Sequence, residues 1–102
     1  MMMLLVCFDL PRDTKEQRRK AAEYRNRLVE LGFSMKQFSL YEREVQKLTT
    51  RTRVIETLGR ELPDEGSIVV YQLPDQVNDE QIEILGERAV HMTKRKPQLI
   101  FI

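Results

Sequence analysis

Residues 1–11 read Met1-Met2-Met3-Leu4-Leu5-Val6-Cys7-Phe8-Asp9-Leu10-Pro11. The first eight are apolar without alternation, and the run stops at Asp9. An unbroken apolar run of strand length, closed by a proline, reads as a strand buried on both faces. Pro11 has no amide donor and ends the ladder. Asp9 therefore stands where the core opens to solvent. Two readings of it compete: a cap for the following loop or helix, or a carboxylate held rigidly for chemistry.

Working outward, Thr14 followed three residues later by Gln17 matches a capping box, and Asp13 adds negative charge at a helix start. The pattern predicts a helix to about Leu31, with Ala21, Tyr24, Leu28 and Leu31 as its buried stripe, widened by Ala22 and Val29, and Gly32 as its stop. Arg18 and Arg25 flank the stripe; Arg19 and Glu23 point away. Solvated ion pairs explain such a helix as readily as phosphate contacts do. Residues 33–45 read as one extended, bent strand with a bulge near Gln37, because Phe33 and Met35 alternate in one phase and Phe38 and Leu40 in the other. A second helix is expected from Lys47 to Leu62, with Leu48, Thr52, Ile55, Leu58 and Leu62 inward and Arg51, Arg53 and Arg60 outward. A turn over 63–66 leads to a strand over 67–73 ended by Pro74. Residues 81–85 read as a short helical turn, a basic link covers 94–97, and 99–102 form a final apolar strand that pairs within the chain or across a dimer.

The order of elements puts two helices on one face of an antiparallel sheet. The fold class is α+β, a ferredoxin-like βαββαβ sandwich with an extra C-terminal edge strand. The ferredoxin-like domain is expected over 1–85, and 86–102 form an edge segment that completes a dimer. The uncovered sheet face of such a domain is apolar, so a homodimer is the physical expectation.

Bulk numbers agree with one small domain: 102 residues, 41% hydrophobic and 32% charged. The single cysteine, Cys7, excludes an internal disulfide and fits a reducing cytoplasm. The apolar start is too short to span a bilayer and lacks a basic leader and a cleavage site, so neither a signal peptide nor a membrane partner is expected. The net charge of +1 conceals +5 over residues 1–60 and −4 over 61–102. That split marks either a basic nucleic-acid face or a chance distribution of solvated charge. No glycine-rich phosphate loop and no Cys/His cluster occur, and His91 is the only histidine. Carboxylates, arginines and hydroxyls remain, a set suited to divalent-metal phosphate chemistry or to nucleic-acid binding alone.

Residues 4–11, Thr14 opening an arginine-rich helix, Leu31-Gly32-Phe33-Ser34-Met35-Lys36-Gln37-Phe38-Ser39-Leu40-Tyr41, Gly66-Ser67-Ile68-Val69-Val70-Tyr71-Gln72-Leu73 and Gly86-Glu87-Arg88 together resemble the Cas2 family. These are the small CRISPR-associated endoribonucleases that partner the spacer integrase. The resemblance spans essentially the whole chain and is strongest over 3–11 and 32–41. Many members carry a tyrosine where Phe8 stands, so the likeness extends to the carboxylate of Asp9 but not to a hydroxyl before it.

The resemblance implies a homodimer whose C-terminal strand completes the partner's sheet. It implies that the two first-strand aspartates face each other across the two-fold axis and cleave phosphodiester bonds of single-stranded RNA or duplex DNA with magnesium. It also implies a scaffold role, holding spacer DNA in a heteromeric complex with the CRISPR integrase. By resemblance Asp9 is the catalytic and metal residue, and Arg12, Arg18, Arg25 and Phe38 are candidates for nucleic-acid contact. One carboxylate per chain is thin for magnesium, so two symmetry-related aspartates would share an ion with phosphate oxygens and water. No general base is readable at a useful spacing, so turnover is expected to be slow. Two other readings stand beside this one. A non-enzymatic ferredoxin-like nucleic-acid module would interleave aromatics with basic residues on the sheet, a pattern only Phe38 and Tyr41 approach. A small-ligand regulatory dimer would show a glycine-rich loop, which is absent.

Overall fold

The computed structural model describes residues 1–88 and the backbone of 98–101. Its elements are β1 (Met2–Asp9), α1 (Lys15–Glu30), β2 (Ser34–Gln37), β3 (Leu40–Val45), α2 (Leu48–Arg60), β4 (Ser67–Pro74), α3 (Asp75–Asp79), β5 (Ile82–Leu85) and β6 (Gln98–Phe101). Four strands form an antiparallel sheet in the order β2-β3-β1-β4. With α1 and α2 as crossovers this is the ferredoxin-like topology the element order predicts. No helix among the described residues is long and apolar enough to cross a membrane.

β1, the most apolar strand, is one of the two interior strands of the sheet, with β3. It pairs with β3 from Met2↔Val45 to Cys7↔Leu40 and with β4 from Met2↔Pro74 to Asp9↔Ser67. Its even-numbered side chains, Leu4, Val6 and Phe8, pack in the core with Ala21, Tyr24 and Leu28 of α1 and Val54 and Leu58 of α2. The odd-numbered face is less covered than an unbroken apolar run suggests. Met3 is buried, but Leu5 and Cys7 are half-buried and Asp9 is exposed. On the same face Val69 and Tyr71 of β4, opposite Cys7 and Leu5, are each 52% exposed. The helices cover one side of the sheet, which leaves an apolar surface on the other.

The expected single bent strand over 33–45 is instead a hairpin of β2 and β3, with Phe38 and Ser39 in its turn. Ser39 takes a left-handed φ of 63° there. The change of phase in the sequence was real: the register shifts between Met35 and Gln37, and the chain then reverses. The helical turn expected over 81–85 is the strand β5, and the helix lies earlier, at α3. Exposed Ile82 and Ile84 alternate with buried Glu83 and Leu85, which is a strand period. β6 runs parallel to β5, from Ile82↔Gln98 to Leu85↔Phe101. His91, Ile102 and the basic link over 94–97 lie outside the described residues.

Thr14 and Gln17 form the expected capping box on α1, and Gly32, at φ 90°, follows its end. The inward face of α1 is Ala21, Tyr24 and Leu28; Val29, assigned to the stripe, is 57% exposed. On α2 the buried residues are Val54, Thr57 and Leu58, while Leu48 is 68% exposed and Thr52 is exposed. Thr57 can occupy the core because its hydroxyl donates to Arg53 O at 2.9 Å.

Two contacts join the helices. Tyr24 Oη donates to Leu58 O at 2.8 Å in the core, and Arg27 Nε bonds both carboxylate oxygens of Glu61 at 3.1 and 3.0 Å. Burial, with the Glu61 charge adding to it, pushes the Tyr24 phenol up to about 12. Because the folded value lies above the unfolded one, the native chain binds more protons between them. The stability that the Tyr24 phenol contributes is therefore complete below pH 10 and is lost as pH rises toward about 12. Tyr24→Phe should lower unfolding free energy by about 1 kcal/mol at neutral pH, through the orphaned Leu58 carbonyl. It should also remove the alkaline loss between those values. Urea titrations of both proteins at neutral and alkaline pH measure the two effects together.

Candidate nucleic-acid and metal site

Asp9 ends β1 on the uncovered face of the sheet, opposite Ser67 of β4 and exposed to solvent. Three local features hold it there. Phe8 N donates to Ser39 O at 3.0 Å, tying the β2–β3 turn to the last rung before Asp9. Leu10 is buried directly against Gly66, where any added side-chain carbon would overlap Leu10 Cδ2. Beyond Pro11, Arg18 Nη1 reaches back from the first turns of α1 to Arg12 O at 3.0 Å and, at 3.4 Å, Asp13 O. The box residue Gln17 accepts from Asp13 N and Thr14 N and donates to Glu65 Oε2 at 2.7 Å. The turn that follows Asp9 is thus bonded to α1 and to the segment before β4.

These contacts gather Asp9, Arg12, Phe38, Ser39 and Ser67 at one end of the sheet. Phe38, expected within a strand, sits in the hairpin turn and is 77% exposed, an apolar ring presented to solvent. Arg12 is exposed with no ion pair among the described residues. Arg18 lies at the same end, but one arm of its guanidinium is committed to the loop carbonyls. Arg25 is half-buried two turns further along α1, about 10 Å away by helical rise. The predicted residues therefore divide into a group around Asp9 and one arginine outside it. Arg19, the other helix arginine, bridges Glu16 at 2.9 Å and Glu23 at 2.6 Å, and both acids, Glu16 first, hold it more firmly protonated.

Ser67 and Ser39 were missed in the sequence. The first is a strand start and the second a turn residue, and only strand pairing brings them beside Asp9. Among the described residues no group of three or more Asp, Glu, His or Cys side chains could hold a metal ion. A magnesium ion wants about six oxygens in near-octahedral geometry. The end of β1 supplies one carboxylate, so a single chain fits at most half of a magnesium site. The remainder would come from a second copy, substrate phosphate and water.

Arg18→Ala should release the loop carbonyls without touching the core. Amide exchange over 12–14 should speed up while the urea midpoint moves by less than about 1 kcal/mol equivalent. Hydrogen exchange read residue by residue separates this from global destabilisation.

Comparison with known proteins bears on the family and the fold. The family model described as CRISPR associated protein Cas2 matches residues 1–82. A protein of Flavobacterium psychrophilum named CRISPR-associated endoribonuclease Cas2 is 34% identical over 94% of this chain and 84% of its own length. One of Paracidovorax avenae with the same name is 36% identical over 84% and 80%. Among solved structures, the crystal structure of Streptococcus pyogenes Cas2 at pH 6.5 superposes with a TM-score of 0.59. It has 22% identity and covers 78% of this chain and 96% of that one.

Proposed function

Since the chain belongs to the CRISPR associated protein Cas2 family, we propose that it is a cytoplasmic CRISPR adaptation protein. It acts as a homodimer that holds spacer DNA together with the CRISPR integrase and cleaves phosphodiester bonds at paired Asp9 residues. The observation that carries this reading is the placement of Asp9. It is an exposed carboxylate on the one sheet face that helices leave uncovered, at the end of a strip of half-buried and exposed apolar side chains. A second copy laid on that strip would cover Leu5, Cys7, Val69 and Tyr71. It would also bring a second Asp9 to the same edge.

Two carboxylates at a two-fold axis would hold a magnesium ion, which when bound polarises a phosphate and lowers the pKa of a bound water. This chain's own part is to fix the carboxylates and position the strand. Phe8 N–Ser39 O and the Leu10–Gly66 contact hold Asp9, while Arg12 binds a backbone phosphate and Phe38 stacks on a base. In the cleavage, the attacking water gives up a proton to solvent as its oxygen bonds to phosphorus, the ester P–O bond breaks, and the departing oxygen takes a proton from solvent. Among the described residues no group of three or more Asp, Glu, His or Cys side chains gathers to hold a metal. That favours slow turnover, and it favours scaffolding as the role that makes the larger demand on the fold.

Two measurements test the reading. Asp9→Asn keeps the side chain's shape and removes the charge a metal needs. It should abolish magnesium-dependent cleavage of single-stranded RNA and duplex DNA while leaving folding, DNA binding and integrase-dependent spacer insertion unchanged. Equal cleavage by both proteins, with magnesium and with chelator, sinks the catalytic role of Asp9; loss of insertion sinks the separation of scaffold from catalysis. Val69→Glu puts a charge into the uncovered strip without entering the core. It should convert a sedimenting dimer to monomer at micromolar concentration, and a variant that stays dimeric removes this face as the interface.

A further inference from the structure

On the other side of the molecule, between the C-terminal end of α1, the strand β3 and α2, lies a cavity of about 410 Å³. Arg27, Arg43 and Arg53 line it, with Glu30 as its one carboxylate. Nothing in the reading of the Asp9 end uses these residues. Arg27 is occupied by its ion pair with Glu61. The other two have no ion pair among the described residues.

Arg43 is the better defined. Its side chain lies along the bare Cα of Gly32, with Nε only 3.3 Å and Cδ 3.4 Å from where a side-chain carbon would stand. Its Nη1 donates to Leu31 O at 2.7 Å. One donor is thus spent on fixing the group, and the rest of the half-buried fork remains for a ligand. Its charge is not neutralised by an ion pair among the described residues, although the group is half-buried. Arg53 approaches the same cavity from α2 and is exposed. Two forks on different elements suit an oxyanion with more than two acceptor oxygens, as a phosphate has. The two arginines without an ion pair outweigh the one lining carboxylate, Glu30, so the cavity keeps a net positive charge suited to a single phosphate. The volume is in the range of small-ligand pockets and would admit a nucleotide.

We propose that this cavity binds a single phosphate group between Arg43 and Arg53, carried by a mononucleotide or by the phosphorylated end of an oligonucleotide strand. The site is independent of the Asp9 end, and Asp9→Asn should leave it intact.

The test is calorimetric titration at low salt with one short single-stranded oligonucleotide, phosphorylated at both ends or at neither, and with AMP and inorganic phosphate. Wild type should bind the phosphorylated strand about tenfold more tightly than the hydroxyl-ended strand, the worth of a charge-assisted pair. Arg53→Gln, an exposed change that should leave the melting temperature unmoved, should erase that preference without weakening the hydroxyl-ended strand. Glu30→Gln should enlarge it. If AMP displaces the strand end at equal concentration, the phosphate source is a free nucleotide; if AMP and inorganic phosphate compete only weakly, it is a strand end. Equal affinity for the two strands together with no AMP binding overturns the proposal, as does a preference that survives Arg53→Gln. A failure here leaves the Asp9 reading untouched, since that reading is judged by cleavage and insertion.

Discussion

Double-sided pairing of β1 is the constraint on which the remaining geometry depends. A strand hydrogen-bonded along both edges cannot slide by one residue without exchanging its two faces. For β1 that slip would drive Leu4, Val6 and Phe8 out of the core and Asp9 into it. The register is held by burial that would cost several kcal/mol to reverse. Once it is set, the sign of the alternation places Asp9 on the face away from the helices. The last rung, Phe8 N to Ser39 O, then fixes how far the hairpin turn stands from it.

The helix layer does different work. Its two helices are rich in charge, and their mutual fixation rests on few contacts: the buried Tyr24–Leu58 bond, the Arg27–Glu61 fork, and the small apolar faces around Leu28 and Leu58. A pair as exposed as Arg27–Glu61 is worth at most about 1 kcal/mol. The larger share comes from apolar burial, with the Tyr24 phenol bonded where an unpaired hydroxyl would be unfavourable. The layer thereby keeps one side of the sheet sealed and leaves the other uncovered.

The arginines of the first half do not form one undifferentiated basic face. Arg18 is tied to loop carbonyls, Arg19 to two glutamates, Arg27 to Glu61, Arg43 to the end of α1 and Arg51 to Gln72. Arg12, Arg25 and Arg53 make no ion pair among the described residues. A charge total of +5 over residues 1–60 therefore overstates the charge free to meet phosphate. The free part divides between the Asp9 end and the opposite side of the molecule.

Much of this was legible in the sequence because it depends on local rules. The capping box at Thr14 and Gln17, the stop at Gly32, the apolar strand ended by proline and the order of elements all follow from neighbours a few residues apart. Together with motif order they were enough to indicate the family and to single out Asp9. What sequence could not reach depends on long-range pairing. Whether residues 33–45 form one strand or a hairpin is decided by which edge of β1 is available to β3. The inward face of α2 is rotated from its apolar pattern to Val54, Thr57 and Leu58 because the sheet, not the helix, determines what must be covered. Ser67 beside Asp9 and Arg43 against Gly32 are likewise products of register and of close backbone approach. The chain's local chemistry chose the elements; the packing of a sheet with one sealed face chose which side chains met.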